Sequence, residues 1–179
     1  VTPNYCKGNA PPIYGIKTHN EKQLLEICIG AILTQNTSWK NVEKAIIELN
    51  KKKLIDIDSI LKTKKEDLAN TIRSSGYYNQ KAEKLMIFAS HIKEKHRKNI
   101  GNMLSQEKEK LRNELLSIKG IGPETADSII LYAAKRPIFV IDAYTKRIFS
   151  RIGIAENKID YEKLQKIFHE NLENDTKVF

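Results

Sequence analysis

From Glu21 onward, apolar side chains recur at three- and four-residue steps, the spacing of helices that bury one face. Leu24, Leu25, Cys28, Ala31 and Ile32 predict the first such helix. Thr37-Ser38 provide a cap for a second, carrying Val42, Ala45, Ile46 and Leu49. Short helices are expected over Ile57–Leu61 and Lys65–Ser74, and Gly76 breaks the pattern. A long helix starts at Asn79 and carries Ala82, Leu85, Met86, Ala89 and Ile92. Leu111, Leu115 and Leu116 mark another, and Ala126, Ile129, Ile130 and Ala133 the next, which runs to Lys135-Arg136-Pro137. Asp142 caps a helix with Ile148, Phe149 and Ile152 on one face, and a last helix spans about Tyr161 to Asn171. Only Ile138–Ile141 reads as a short strand, so the fold class is all-α. Residues 1–20, with Pro3, Gly8, Pro11, Pro12 and Gly15, read as loop.

One interruption carries chemistry. After Leu115-Leu116-Ser117-Ile118 come Lys119-Gly120-Ile121-Gly122, and a new helix opens on Pro123. Two glycines around one aliphatic residue allow a sharp turn and close approach to something large. Proline suits the first helical position because its missing N–H had no intrahelical partner there. The N–H groups of the turn and helix start then form an anion site, and along a duplex that anion is a DNA phosphate.

Charge agrees with such a partner. Lys and Arg number 31 against 22 Asp and Glu, a net charge of +9 that suits a polyanion, although solubility alone would also explain it. The lysine runs at 51–53, 62–65 and 93–98 read as solvated faces. Two cysteines, Cys6 and Cys28, are too few for a disulfide framework. No secretory signal opens the chain and no apolar run reaches membrane-spanning length, which suggests a reduced intracellular setting and no membrane partner. His19, His91, His96 and His169 show no metal-ligand spacing with the cysteines, so no metal site is expected.

About twenty residues past the hairpin stands Phe139-Val140-Ile141-Asp142-Ala143-Tyr144. With Ala31-Ile32-Leu33-Thr34-Gln35-Asn36-Thr37 and Gly76-Tyr77-Tyr78-Asn79-Gln80-Lys81-Ala82, these segments resemble, in order and spacing, the helix-hairpin-helix (HhH-GPD) DNA glycosylases of the endonuclease III superfamily. The resemblance covers roughly residues 21–155. It implies a two-lobed helical fold: residues 21–136 as a six-helix barrel lobe containing the hairpin at about 111–135, and residues 1–20 with 137–179 as a second lobe. It implies base-excision repair of double-stranded DNA by a monomer in the cytoplasm, nucleoid or nucleus.

Site residues follow by position. Asp142 and Glu124 are the candidate catalytic residues. Cleaving an N-glycosidic bond develops positive charge on the deoxyribose, which a carboxylate at 142 would stabilise while orienting water. Bifunctional relatives carry at 124 a lysine that attacks the sugar as a Schiff base; glutamate forms no imine, so the chain resembles the monofunctional members, among them helicobacter-type 3-methyladenine enzymes. Gln35 corresponds to the side chain that fills the gap left by a flipped nucleotide, and Tyr77 to the wedge beside the orphan base. Lys119, Gly120, Ile121, Gly122, Thr125 and Tyr144 complete the expected DNA contacts, and Trp39 is the candidate lining of the base pocket.

Plainer readings stand beside these. Asp142 and Glu124 also suit an N-cap and a first-turn acid, Trp39 suits core packing, and Gln35, Tyr77 and Tyr144 suit ordinary helix-end or packing roles. Alkylpurine relatives carry Trp-Trp-Pro where this chain reads Tyr14-Gly15-Ile16-Lys17-Thr18-His19. No cofactor is expected in the chain itself beyond a monovalent cation at the hairpin; a 4Fe-4S cluster would need a cysteine-bearing tail after residue 179. The favoured activity is monofunctional removal of a damaged base, with an alkylated purine ahead of uracil or mismatched thymine. The alternatives are a bifunctional glycosylase/lyase using Lys119 or Lys146, and a non-catalytic module that only grips DNA.

Overall fold

A computed structural model describes residues 20–156, 158–173, 175, 176 and 179. The loop expected over 1–20, with Cys6, His19 and the 14–19 segment, lies outside the described residues except for Asn20. No described residue is in a strand, Ile138–Ile141 included. No described helix is long and apolar enough to cross a membrane.

The chain divides into two compact units. One runs through Ser105 and takes in Ile118–Gly120; the other holds Gln106–Ser117 and Ile121–Phe179. The division therefore passes through the hairpin, between Gly120 and Ile121, whereas the sequence reading placed it after residue 136.

In the first unit, α1 (Glu21–Leu33) opens with reciprocal bonds between Asn20 and Gln23, a capping box. α2 (Trp39–Lys51) has Ser38 at its N-cap but, unlike the expectation, no side-chain cap bond. α3 (Ile57–Lys62) is capped by Asp56. The stretch expected as one helix over 65–74 is split: α4 (Lys65–Thr71) ends and a 3-10 turn follows at Arg73–Ser75. Gly76 (φ 68°) and Tyr77 (φ 45°) then take left-handed conformations and launch α5 (Tyr78–His96). α6 (Ile100–Leu104), capped by Asn99, has no counterpart in the sequence reading, being only five residues long. Buried Leu25, Cys28, Ile32, Val42, Ala45, Ile46, Leu49, Ala82, Leu85, Ala89 and Ile92 show why these helices form: most of each predicted stripe is desolvated, while Leu24, Ala31 and Met86 are only partly covered.

In the second unit, α7 (Lys108–Ser117) packs against α8 (Pro123–Tyr132) through Leu111, Leu115, Ala126, Ile129 and Ile130, all fully buried. α8 ends at Tyr132, short of the expected Lys135, where the chain turns through a positive φ of 55°. α9 (Ala143–Arg151) and α10 (Tyr161–Asn171) follow. A cluster of Ile141, Leu164 and Phe168 is joined by Phe139, Phe149 and Ile159, with the Phe139 and Phe168 rings stacked at 3.7 Å. Of the α9 face, Phe149 meets this cluster, while Ile148 and Ile152 remain more than half exposed.

Candidate DNA-repair site

The hairpin is built from two glycines that do different work. Gly120 has φ +95°, and a Cβ there would sit 2.7 Å from Lys84 Cγ, so the position demands glycine twice over. Gly122 has an ordinary φ of −96° as N-cap of α8, and a Cβ there would meet open space. Pro123 occupies the first turn as expected. The side chains of Ile121 and Thr125 are buried, at 6% and 5% exposure, because the apolar residue between the glycines turns inward and Thr125 shares the core face of Ile129; a phosphate contact at these positions would be made by backbone N–H groups.

Around Gly120 the first unit gathers polar groups. The amide of Gln35 donates to the Gly120 carbonyl at 3.3 Å, and its oxygen accepts from Lys84 Nζ. Lys119, strongly exposed, lies 3.7 Å from Glu83. Tyr77, 65% exposed on its left-handed backbone, projects from the start of α5. Trp39 packs its six-membered ring over Gly30 of α1, within 3.6 Å of where a Cβ would stand, which is helix–helix packing rather than a displayed platform.

Sequence reasoning missed Lys81. It is 2% exposed, and its Nζ donates to the carbonyls of Leu33 (2.9 Å) and Ser75 (2.6 Å). Burial, with help from Lys84, brings its pKa down to about 8. The signal was present: Lys81 lies on the same stripe as Leu85, Phe88 and Ile92, where a charge is out of place.

In the second unit, Asp142 is the N-cap of α9. Its Oδ1 accepts from the N–H and hydroxyl of Thr145, both at 2.7 Å, and Oδ2 makes no hydrogen bond to a described residue. Glu124, in the first turn of α8, is exposed overall. Desolvation of its carboxyl, then the Asp142 charge, raises its pKa, while Lys146 opposes the shift. Positions 124 and 142 are thus brought within electrostatic reach of each other. Lys146 Nζ stands over the Tyr161 ring at 5.8 Å, and Tyr144, exposed, lies under the Arg147 guanidinium at 4.7 Å.

Behind Asp142 lies a buried polar cluster that the sequence reading did not single out. Asp127, fully buried on α8, accepts from Arg112 Nε (2.7 Å) and Gln165 Nε2 (2.7 Å), and burial together with the Asp127 charge pushes the Tyr161 hydroxyl's pKa up. A charged residue among Ala126, Ile129 and Ile130 was the available clue.

The Gly120 carbonyl accepts from Gln35, and the Lys84 chain packs on that glycine. A cluster held by four thiolates needs four cysteines; Cys28, the described one, is buried in α1 with its thiol pushed up by burial.

Residues 29–174 match the model of the HhH-GPD superfamily of base excision DNA repair proteins. The chain belongs to this superfamily. A Methanocaldococcus jannaschii protein assigned as a DNA repair glycosylase is 47% identical over 86% of this chain and 70% of its own length. Endonuclease III of Thermotoga maritima is 29% identical over 87% and 70% respectively. Among solved HhH-GPD structures, the H. pylori 3-methyladenine DNA glycosylase bound to 1,N6-ethenoadenine superposes with a TM-score of 0.72 at 32% identity, covering 81% of this chain and 67% of that one. A trapped endonuclease III–DNA covalent intermediate gives 0.73 at 20% identity over 88% and 69%, which bears on the fold alone.

Proposed function

We propose that this protein is a monofunctional DNA N-glycosylase acting on an alkylated purine in double-stranded DNA. The observation that carries the reading is Glu124 in the first turn of α8, at the hairpin position where a lyase would need an amine, in a chain whose residues 29–174 match the base-excision family. A residue at 124 stands near the candidate reacting carboxylate, and there it is an acid, not an amine.

The chemistry would run as hydrolysis. The bond between C1′ and the base breaks, the base departs with its electron pair, and positive charge develops on the sugar. The Asp142 carboxylate, fixed by Thr145 through Oδ1, offers Oδ2 to that charge and to the proton of the incoming water. The water oxygen ends on C1′, leaving an abasic site and an intact strand. Gln35 and Tyr77 would hold open the gap left by the flipped nucleotide, and the hairpin would bind phosphate through backbone N–H groups. The choice of an alkylated purine is supported by the 32% identity to the H. pylori enzyme, described as a 3-methyladenine glycosylase with a modified adenine bound.

The test is base release from a panel of duplexes carrying alkylated purines, uracil, mismatched thymine or oxidised bases. Products are read on denaturing gels without alkali beside a borohydride lane. Release of an alkylated purine with an intact strand and no trapped adduct is the expected result. Strand breaks with a trapped adduct would overturn the monofunctional reading and direct attention to Lys119 or Lys146. Tight binding with no base released from any lesion would leave a DNA-gripping module.

A further inference from the structure

Asp142 is delivered by a short segment without regular secondary structure, Phe139–Ile141. Backbone outside helices and sheets needs other partners for its buried polar groups. Here they come from side chains of α10. The Ile141 N–H donates to the Tyr161 hydroxyl at 3.2 Å, and Ile141 is 1% exposed. The Phe139 carbonyl accepts from Gln165 Nε2 at 2.7 Å. The segment is therefore gripped at both ends, the second grip lying one residue before Asp142.

Both gripping side chains converge on one carboxylate. Gln165 Nε2 has two protons: one goes to Phe139 and the other to Asp127 Oδ2 at 2.7 Å. The Tyr161 hydroxyl accepts from Ile141 and lies within electrostatic reach of the Asp127 carboxylate. Arg112 of α7 adds Nε to Oδ1 at 2.7 Å and a longer contact from Nη2 to Oδ2 at 3.3 Å. Asp127 thus accepts from Arg112 through both oxygens and from Gln165. With both Nε2 protons committed, Gln165 has no alternative orientation that keeps its bonds. Asp127 also lies three residues after Glu124 on α8. The helix that carries one candidate acid thus holds, through this hub, the backbone that carries the other.

We infer that Asp127, acting through Tyr161 and Gln165, is the positioning residue that sets Asp142 against the start of α8. The inference rests on the reading of Asp142 as the reacting carboxylate. Asp127 itself touches no substrate. Its work is to hold a backbone segment still, and a displacement near 1 Å at a reacting group is enough to slow chemistry about a hundredfold.

The hub makes a distinct prediction for Tyr161→Phe. That change keeps the ring in the Ile141–Leu164–Phe168 cluster and removes only the hydroxyl. The Ile141 N–H then loses its acceptor. The experiment measures single-turnover release of the excised base, affinity for undamaged duplex, and the thermal midpoint, for Tyr161→Phe and for Gln165→Met. It repeats each change in the Asp142→Asn background. Release should slow about tenfold to a hundredfold in each single variant while duplex affinity holds within about twofold, because hairpin contacts to phosphate are untouched. In the Asp142→Asn background the same changes should add no further loss, since residues acting as a unit are not additive.

Wild-type release rates in either folded variant overturn the inference, and so does a loss of rate matched by an equal loss of affinity. Should Tyr161→Phe fail to fold, Gln165→Met carries the test through the Phe139 arm. Asp142→Asn separates the two levels of argument. If it retains full activity, the catalytic reading falls; if it is inactive and the hub variants are not slowed, the positioning role alone falls.

Discussion

Lys81 Nζ donates to the carbonyl of Leu33, forty-eight positions earlier in the chain, and to that of Ser75 on the other side. One ammonium group thereby joins the end of α1, two residues before Gln35, to the turn two residues before Tyr77. Lys81→Met keeps the apolar length and removes the donor, leaving two buried carbonyls without this partner. The expected cost is about 1–3 kcal/mol for each carbonyl. Urea unfolding of the variant beside the wild type checks it, and an unchanged midpoint and slope would show that the lysine is dispensable to the fold.

The same lysine predicts a pH dependence. Its pKa is brought down from 10.5 to about 8 by burial, with Lys84 contributing. Between those values the unfolded chain binds the proton and the native chain releases it, so stability linked to Lys81 is lowest below about pH 8 and rises toward 10.5. The stability of the wild type relative to Lys81→Met should therefore grow across that window. A difference that is flat or falls with pH would contradict the assignment.

Gly120 and Gly122 should separate under substitution. Gly120→Ala forces a side chain into a left-handed conformation and against Lys84, at a cost of about 1–3 kcal/mol from backbone strain alone. It should lower both stability and DNA affinity. Gly122→Ala meets open space at an ordinary φ and should leave the melting temperature unchanged. If the hairpin approaches phosphate closely, the added methyl still weakens binding to any duplex by a similar factor, which fluorescence anisotropy with undamaged DNA measures. Unaltered affinity in both folded variants would take the hairpin out of the interface.

Asp142→Asn should separate capping from chemistry. Asparagine caps a helix about as well as aspartate, so stability should change by less than about 0.5 kcal/mol. Base excision should be lost while binding to damaged duplex remains, because the charge is needed chiefly in the transition state. A near-wild-type single-turnover rate would reduce Asp142 to its cap.

Gln35→Ala and Tyr77→Ala should slow excision from paired duplex more than from single-stranded substrate, since only the duplex has to be held open after flipping. Tyr77, 65% exposed on a left-handed backbone, has little packing to lose. Gln35 also bonds to Gly120 and Lys84, so its substitution should in addition lower affinity for undamaged DNA modestly. Equal losses on duplex and single strand would assign these side chains some other task.

The helices, the hairpin and the Asp142 cap were legible in the amino-acid order because each depends on residues within one or two turns of one another. Periodic apolar residues declare a helix, Gly120-Ile121-Gly122-Pro123 declares a turn into a helix start, and Asp142 caps through Thr145 only three residues away. Local order does not say which hairpin side chains face inward: Ile121 and Thr125 are buried, because which side of a turn faces the core depends on what packs there. Tertiary structure alone decided the partners of buried charge. Lys81 meets Leu33 across forty-eight positions, and Gln165 meets Asp127 across thirty-eight. No local spacing encodes such pairs. They arise because a buried ionic or amide group must find donors and acceptors wherever folding brings them, and the cost of leaving one unsatisfied selects a single arrangement.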